Sequence, residues 1–143
     1  MKMTNLVAGK AGRIIYWIAT VWLSLGMLST GIVQLLRVKG EIEFILQLGY
    51  PDYFLTLLGV WKILGVVALL VPGFPLLKEW AYAGFFFIMS GAIFSHVAVG
   101  NAANEVAPAL LLLILTIVSW HFRTARKFKL QHTNTDRKII PVN

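Results

Sequence analysis

Four long apolar stretches run along the chain, and short polar breaks separate them. Residues 14–36 hold no charge, and at 1.5 Å per helical residue they reach about 34 Å, enough to cross a bilayer with some tilt. A secretory leader would have an apolar region of only about 7–15 residues and end at a small-residue cleavage site. No A-x-A pattern closes this stretch, so it predicts a first membrane helix. Residues 54–71, 80–99 and 108–122 predict three more. Inside hydrocarbon only helices or closed barrels satisfy the backbone. Barrel strands would alternate in short segments, whereas these runs are continuous.

The breaks carry the turn chemistry. Residues 37–52 mix polar and apolar positions, and Ile42, Ile45, Leu46 and Leu48 suit one side of a short interfacial helix. Gly49-Tyr50-Pro51-Asp52 interrupts the chain, with Pro51 placed to begin the second span. Pro72-Gly73-Phe74-Pro75 ends that span, leaving Lys78 and Glu79 in the connection. Asn101, Asn104 and Glu105 mark a polar turn before Pro108, near the start of the fourth span. The fold class is therefore an all-α membrane protein, an antiparallel four-helix transmembrane bundle over residues 1–122. Residues 123–143 form a basic cytoplasmic tail, flexible beyond its first turns.

Composition agrees. Of 143 residues 58% are hydrophobic, against about 45–50% in soluble domains. Only 13% are charged, and a domain this small cannot hide so much apolar surface from water. The net charge of +7 is concentrated at the ends, which argues for topology signals and headgroup contact and against nucleic acid. Of the 13 Lys and Arg residues, three precede the first span, Lys78 lies between the second and third, and six are in the tail. Only Arg37 and Lys39 fall on the opposite side. That excess places both termini in the cytoplasm of a cell whose inner membrane the chain crosses several times. Trp80, Tyr82 and Trp120 suit an interfacial aromatic belt. The absence of cysteine excludes thiolate ligation of iron–sulfur clusters or zinc.

Small residues mark the faces where helices approach: Gly84, Gly91 and Ser95 in the third span, Gly26 with Thr30 in the first, and Trp61 with Gly65 in the second. The residue made most informative by lipid is Lys62, roughly 12 Å from either end of its span. A mid-membrane ammonium facing lipid costs at least about 2.5–3.5 kcal/mol, so Lys62 is expected to face protein or a wet cavity. It serves either a ligand or an inter-helix tether, and burial can also neutralise it. His96, Gln34 and Glu105, with Glu41 and Glu43 of the first connection, fall at a similar depth on the outward side. Together they predict an outward-opening polar pocket formed by Lys62, His96 and Gln34, with Glu105 or Glu43 at its mouth and Trp22 and Trp61 as apolar walls. Taken singly, His96 reads more readily as a structural histidine and Glu105 as a helix N-terminal charge. His96 and His121 sit at opposite depths and His132 is in the tail, so haem ligation within one chain is not expected. No metal site, phosphate loop or nucleophile elbow is present.

The segments L-G-Y-P-x-Y-F, L-G-V-W-K-I-L-G, W-A-Y-A-G-F-F-F and S-G-A-x-x-S-H within residues 48–100 resemble the DoxX-like membrane family. The resemblance implies a four-helix membrane protein, with Lys62, Gly65 and His96 at family positions. It implies little about activity: some related proteins are linked to quinone-coupled sulfur oxidation, as a subunit of a thiosulfate:quinone oxidoreductase, and others to membrane assemblies that resist oxidative stress. Such relatives often carry an acidic residue after the aromatic run. This chain has Ile88 there, so a carboxylate relay for protons is missing. The expected function is an accessory or anchoring subunit of a quinone-associated membrane redox assembly, not catalytic alone, with protein partners and room for a homo-oligomer. The alternatives are a stand-alone small-molecule or lipid-binding carrier and a membrane scaffold without ligand.

Overall fold

A computed structural model describes the backbone of residues 9–139 and the side chains of residues 9–124. Lys2 and the side chains of Arg126, Lys127, Lys129, His132, Arg137 and Lys138 lie outside the described residues. The helices are α1 (Lys10–Leu35), α2 (Lys39–Gln47), α3 (Tyr53–Leu70), α4 (Pro75–Ala98) and α5 (Ala103–Ile139). Four of them, α1, α3, α4 and α5, are long and apolar enough to cross a membrane. With no strand among the described residues, this is an all-α, multi-pass membrane bundle.

Three helix starts differ from the sequence expectation, the first being α1, which begins at Lys10 and not at residue 14. α4 begins at Pro75, so Lys78 and Glu79 belong to the helix and not to a connection. Proline suits a first helical position because its fixed φ is already helical and its missing N–H has no partner to lose. Gly73, at φ +92°, makes the preceding turn. Lys78 Nζ then donates to the Leu69 carbonyl at 2.5 Å, satisfying one of the orphan acceptors at the end of α3. α5 begins at Ala103 and contains Pro108, and its backbone stays helical to Ile139, well past the few turns expected of the tail.

The four long helices form a ring. α1 packs on α3 and α5, and α4 packs on the same two, which sets α1 opposite α4. Leu23, Met27, Val66, Leu69, Tyr82, Phe85, Met89 and Leu112 fill the centre. Glycine sets the closest approach. A Cβ on Gly59 of α3 would lie 2.8 Å from the Gly31 carbonyl oxygen of α1, so these helices meet backbone to backbone. Gly65 meets the Phe85 ring, and Gly26 meets Leu112. Gly84 and Gly91, expected at a contact face, have open space where a Cβ would go. Their side of α4 faces outward with Phe87 and Phe94. The outward face of α1, with Ile18, Trp22 and Leu25, is likewise apolar and meets lipid.

The antiparallel order gives the bundle two ends. The start of α1, the end of α3, the start of α4 and the membrane exit of α5 share one, here the tail end. The opposite, cap end is crossed by α2.

Candidate functional site

At the tail end the buried polar side chains among the described residues are each hydrogen-bonded. Thr20 and Ser119 hydroxyls lie 2.6 Å apart, and the Tyr82 hydroxyl is 2.7 Å from the same Ser119 oxygen, which is 0% exposed. Thr20 also donates to the Tyr16 carbonyl at 2.6 Å. Tyr82 is therefore an interior hydrogen-bonding residue and not a member of the interfacial belt. Below it, Arg123 pairs with Glu79, donates to the Pro75 carbonyl at 3.1 Å, and stands 5.8 Å from the Tyr82 ring centre. Trp120 Nε1 donates to the other Glu79 oxygen at 2.8 Å. These bonds join α1, α4 and α5.

The cap end is different. Lys62, at the middle of α3, is only 5% exposed. The glycine contact explains the burial: a Cβ on Gly31 would lie 3.2 Å from Lys62 Cβ, so the lysine leaves its helix inside the tightest seam of the bundle. Its ammonium makes one hydrogen bond among the described residues, donating to Thr30 Oγ1 at 3.3 Å. One helical turn further along α1, Gln34 Oε1 is buried and has no hydrogen-bond partner. Ser24 Oγ, nearer the middle of α1, is also buried and unpaired.

Over this end lies α2. Its inward side carries Glu41, Phe44 and Ile45, whereas Leu46, expected on that side, is exposed. The spacing i, i+3, i+4 defines one helical face, and Leu46 is rotated off it. Glu41 is the acidic group whose field acts on Lys62. Phe44 packs on His96 with ring centres 4.9 Å apart. Beside them Tyr50, stacked on Phe54, has its hydroxyl 2.8 Å from Ser95 Oγ. The cap is tied at its base by an ion pair between Arg37 and Asp52, the residues that flank it.

The sequence-predicted site residues divide. Lys62 sits in the α1–α3 seam bonded to Thr30, and Gln34 stands one turn along α1 from Thr30. His96 is buried near the end of α4, bonded to Asn101 at 3.0 Å and covered by Phe44. Glu41, not Glu43, is the carboxylate that acts on Lys62. Glu43 and Glu105 are exposed. Trp22 and Trp61 are 58% and 50% exposed and stand on the outer surface of the bundle, not as inner walls. At the cap the aromatic residues are Phe44, half-buried against His96, and Tyr50, which is exposed beside Ser95. Thr30, Phe44 and Tyr50 were missed because nothing in the sequence shows that α2 folds back over the bundle. Phe44 standing three residues from Glu41 was the available hint. Among the described residues no three His, Asp or Glu side chains gather as metal ligands.

The description DoxX-like family matches residues 18–119 of the chain. The uncharacterized protein YdgD of Bacillus subtilis (strain 168) is 32% identical over 103 residues, which cover 69% of this chain and 86% of that one. No solved structure matches.

Proposed function

The chain belongs to the DoxX-like family of membrane proteins, and from that premise we propose that it is an accessory subunit of a membrane redox assembly that holds a quinone-type headgroup beneath α2. The observation that carries this reading is Lys62. It is buried at mid-span and makes one hydrogen bond, although an ammonium has three N–H donors. Burying an ammonium that makes one hydrogen bond among the described residues is costly. A guest with acceptor oxygens relieves that cost. Lys62 binds and orients a headgroup oxygen, Gln34 stands one turn above Thr30 to take a second contact, and Phe44 and Tyr50 cover the ring. A quinone bound there supplies two-electron carrier chemistry to the partner proteins. The chain contributes position and exclusion of water.

In this reading the tail end faces the cytoplasm of a cell bounded by this inner membrane, because most Lys and Arg residues lie on that side. Cysteines placed at Asn101 and Gln131 of this cysteine-free chain are expected to label from opposite sides of intact cells. Labelling of both from one side contradicts the orientation.

The functional test is co-purification. The protein is isolated from its native membrane in lipid nanodiscs, and bound quinone and co-isolated proteins are measured by mass spectrometry for wild type and Lys62→Met. Retention of quinone by wild type and its loss in Lys62→Met supports the reading. Equal retention by both, or retention by neither, overturns it. One observation favours a stand-alone carrier instead. α2 is flanked by left-handed residues, Arg37 at φ 51° and Gly49 at φ +85°, so the cap has a bend at each end that suits opening. Quinone without any co-isolated redox protein would decide for the carrier. A homo-oligomer would appear as a larger native mass in the same nanodiscs.

A further inference from the structure

The turns that carry the chain into and out of α2 share a backbone form and differ in residue. Each places one left-handed residue just past a helix end, a position that usually falls to glycine because a Cβ crowds the neighbouring carbonyl there. After α2 it is Gly49, at φ +85°, and the Gly49 and Tyr50 N–H groups close that helix by donating to the Leu46 and Ile45 carbonyls at 2.9 and 3.1 Å. After α1 it is Arg37, at φ 51°, the one non-glycine residue with positive φ among the described residues. Its backbone is strained where glycine would not be. The Arg37 guanidinium pairs with Asp52, 15 residues along the chain. Asp52 precedes α3 and makes no side-chain cap bond to it, so the pair with Arg37 is not shared with helix capping.

That pair closes residues 37–52 into a loop whose other attachments are few. Ile45 is the one buried residue of α2. Phe44 packs on His96, Tyr50 meets Ser95 through their hydroxyls, and Glu41 lies in the field of Lys62. A segment with so few buried contacts belongs to the low-stability end of a fold. The Arg37 and Asp52 side chains are 41% and 52% exposed, and an ion pair so open to solvent returns no more than a left-handed arginine costs. The closed position is thus near balance, with a few contacts set against one strained residue. What the loop covers is polar: His96 and Ser95, at the end of α4, are 6% and 8% exposed. Independently of any guest, we propose that residues 37–52 are a strap that swings off the cap end as a unit and uncovers His96 and Ser95. Arg37 is its strained hinge, and the Arg37–Asp52 ion pair is its latch. Breaking the latch lets Arg37 relax to a right-handed or extended backbone, which redirects the chain away from the bundle.

The test is the distance between two nitroxide labels in the full chain in lipid nanodiscs, measured by pulsed electron spin resonance. The labels are attached at Glu43→Cys and Ala102→Cys, exposed positions on α2 and on the link before α5 in a chain that has no cysteine of its own. The labelled parent is expected to show one dominant, short distance. Asp52→Asn removes the latch and leaves the strain, and is expected to raise the ratio of long to short distances at least about threefold. Adding Arg37→Asn, a residue that tolerates the left-handed backbone, is expected to return that ratio to within about twofold of the parent. Asp52→Glu keeps the charge and is expected to keep the parental distribution. A size-exclusion profile checks that the bundle is intact in each variant. A distribution unchanged by Asp52→Asn overturns the proposal, and so does a raised ratio that Arg37→Asn fails to lower.

Discussion

The two ends of this bundle solve the same problem in opposite ways. Each carries buried polar side chains in a medium that offers them no water. At the tail end Thr20, Ser119 and Tyr82 share hydrogen bonds, and Arg123 is held by Glu79 and a backbone carbonyl. At the cap end Lys62 has a single 3.3 Å bond and Gln34 Oε1 has none. Polarity alone does not mark a site in a membrane protein. A closed network is a fastening, and an unclosed one is where binding free energy is left to be used.

Breaking the fastening has the largest expected effect. Glu79→Ala leaves the Arg123 guanidinium buried against Pro75 with its carboxylate gone, and is expected to cost about 2–3 kcal/mol of stability. The figure is kept below that of a fully buried pair because the Glu79 side chain is 38% exposed. Unfolding in detergent or SDS, monitored by circular dichroism, measures it. A loss near zero would put both ends on the same footing and remove the contrast.

Next comes the seam. Gly65→Ala sets a methyl within 2.7 Å of the Phe85 ring and is expected to destabilise by about 1–3 kcal/mol. Gly91→Ala, in open space on the outer face of α4, is expected to be neutral or to gain up to about 1 kcal/mol from helix propensity. The pair of thermal midpoints should move apart. Equal losses at both positions would mean that a partner covers Gly91 in the native membrane.

At the cap end Lys62→Met is expected to leave stability unchanged or raise it by about 1–2 kcal/mol, since a poorly paired buried charge is replaced by an apolar chain. A loss of several kcal/mol in the same unfolding assay would class Lys62 as a fastening like Arg123. The smallest effect is expected from Thr20→Val, which removes one interhelical hydrogen bond worth about 0.6 kcal/mol in membrane proteins. A value above about 2 kcal/mol would show that the Thr20–Ser119–Tyr82 group acts cooperatively.

Much of the architecture was legible along the chain, and the limits of that reading are instructive. Long apolar runs predicted the four crossings, and the lysine at mid-span was expected to avoid lipid; Lys62 is buried in the bundle. The aromatic walls failed. Trp22 and Trp61 were placed by depth, but depth along a helix says nothing about which way a residue faces around it. The glycine reading held at Gly26 and Gly65, which meet Leu112 and Phe85, and failed for the same reason at Gly84 and Gly91, which face open space. Tyr82 looked interfacial by its position near a span end, and its partner Ser119 is 37 residues away, beyond any local pattern.

By itself the sequence determined that this is a multi-pass membrane protein and how many helices are long and apolar enough to cross. Those properties follow from residue-by-residue transfer free energies summed over a length that must match the hydrocarbon thickness. Only the tertiary structure decided which polar groups are satisfied. Hydrogen bonds such as Thr20–Ser119, 99 residues apart, depend on how each helix is rotated and on where a glycine lets two backbones meet. The folding of α2 over Lys62 is a decision of the same kind. It sets Glu41 and Phe44 at the end of the bundle where Lys62 and His96 are buried, and no pattern within the span of α3 could have announced it.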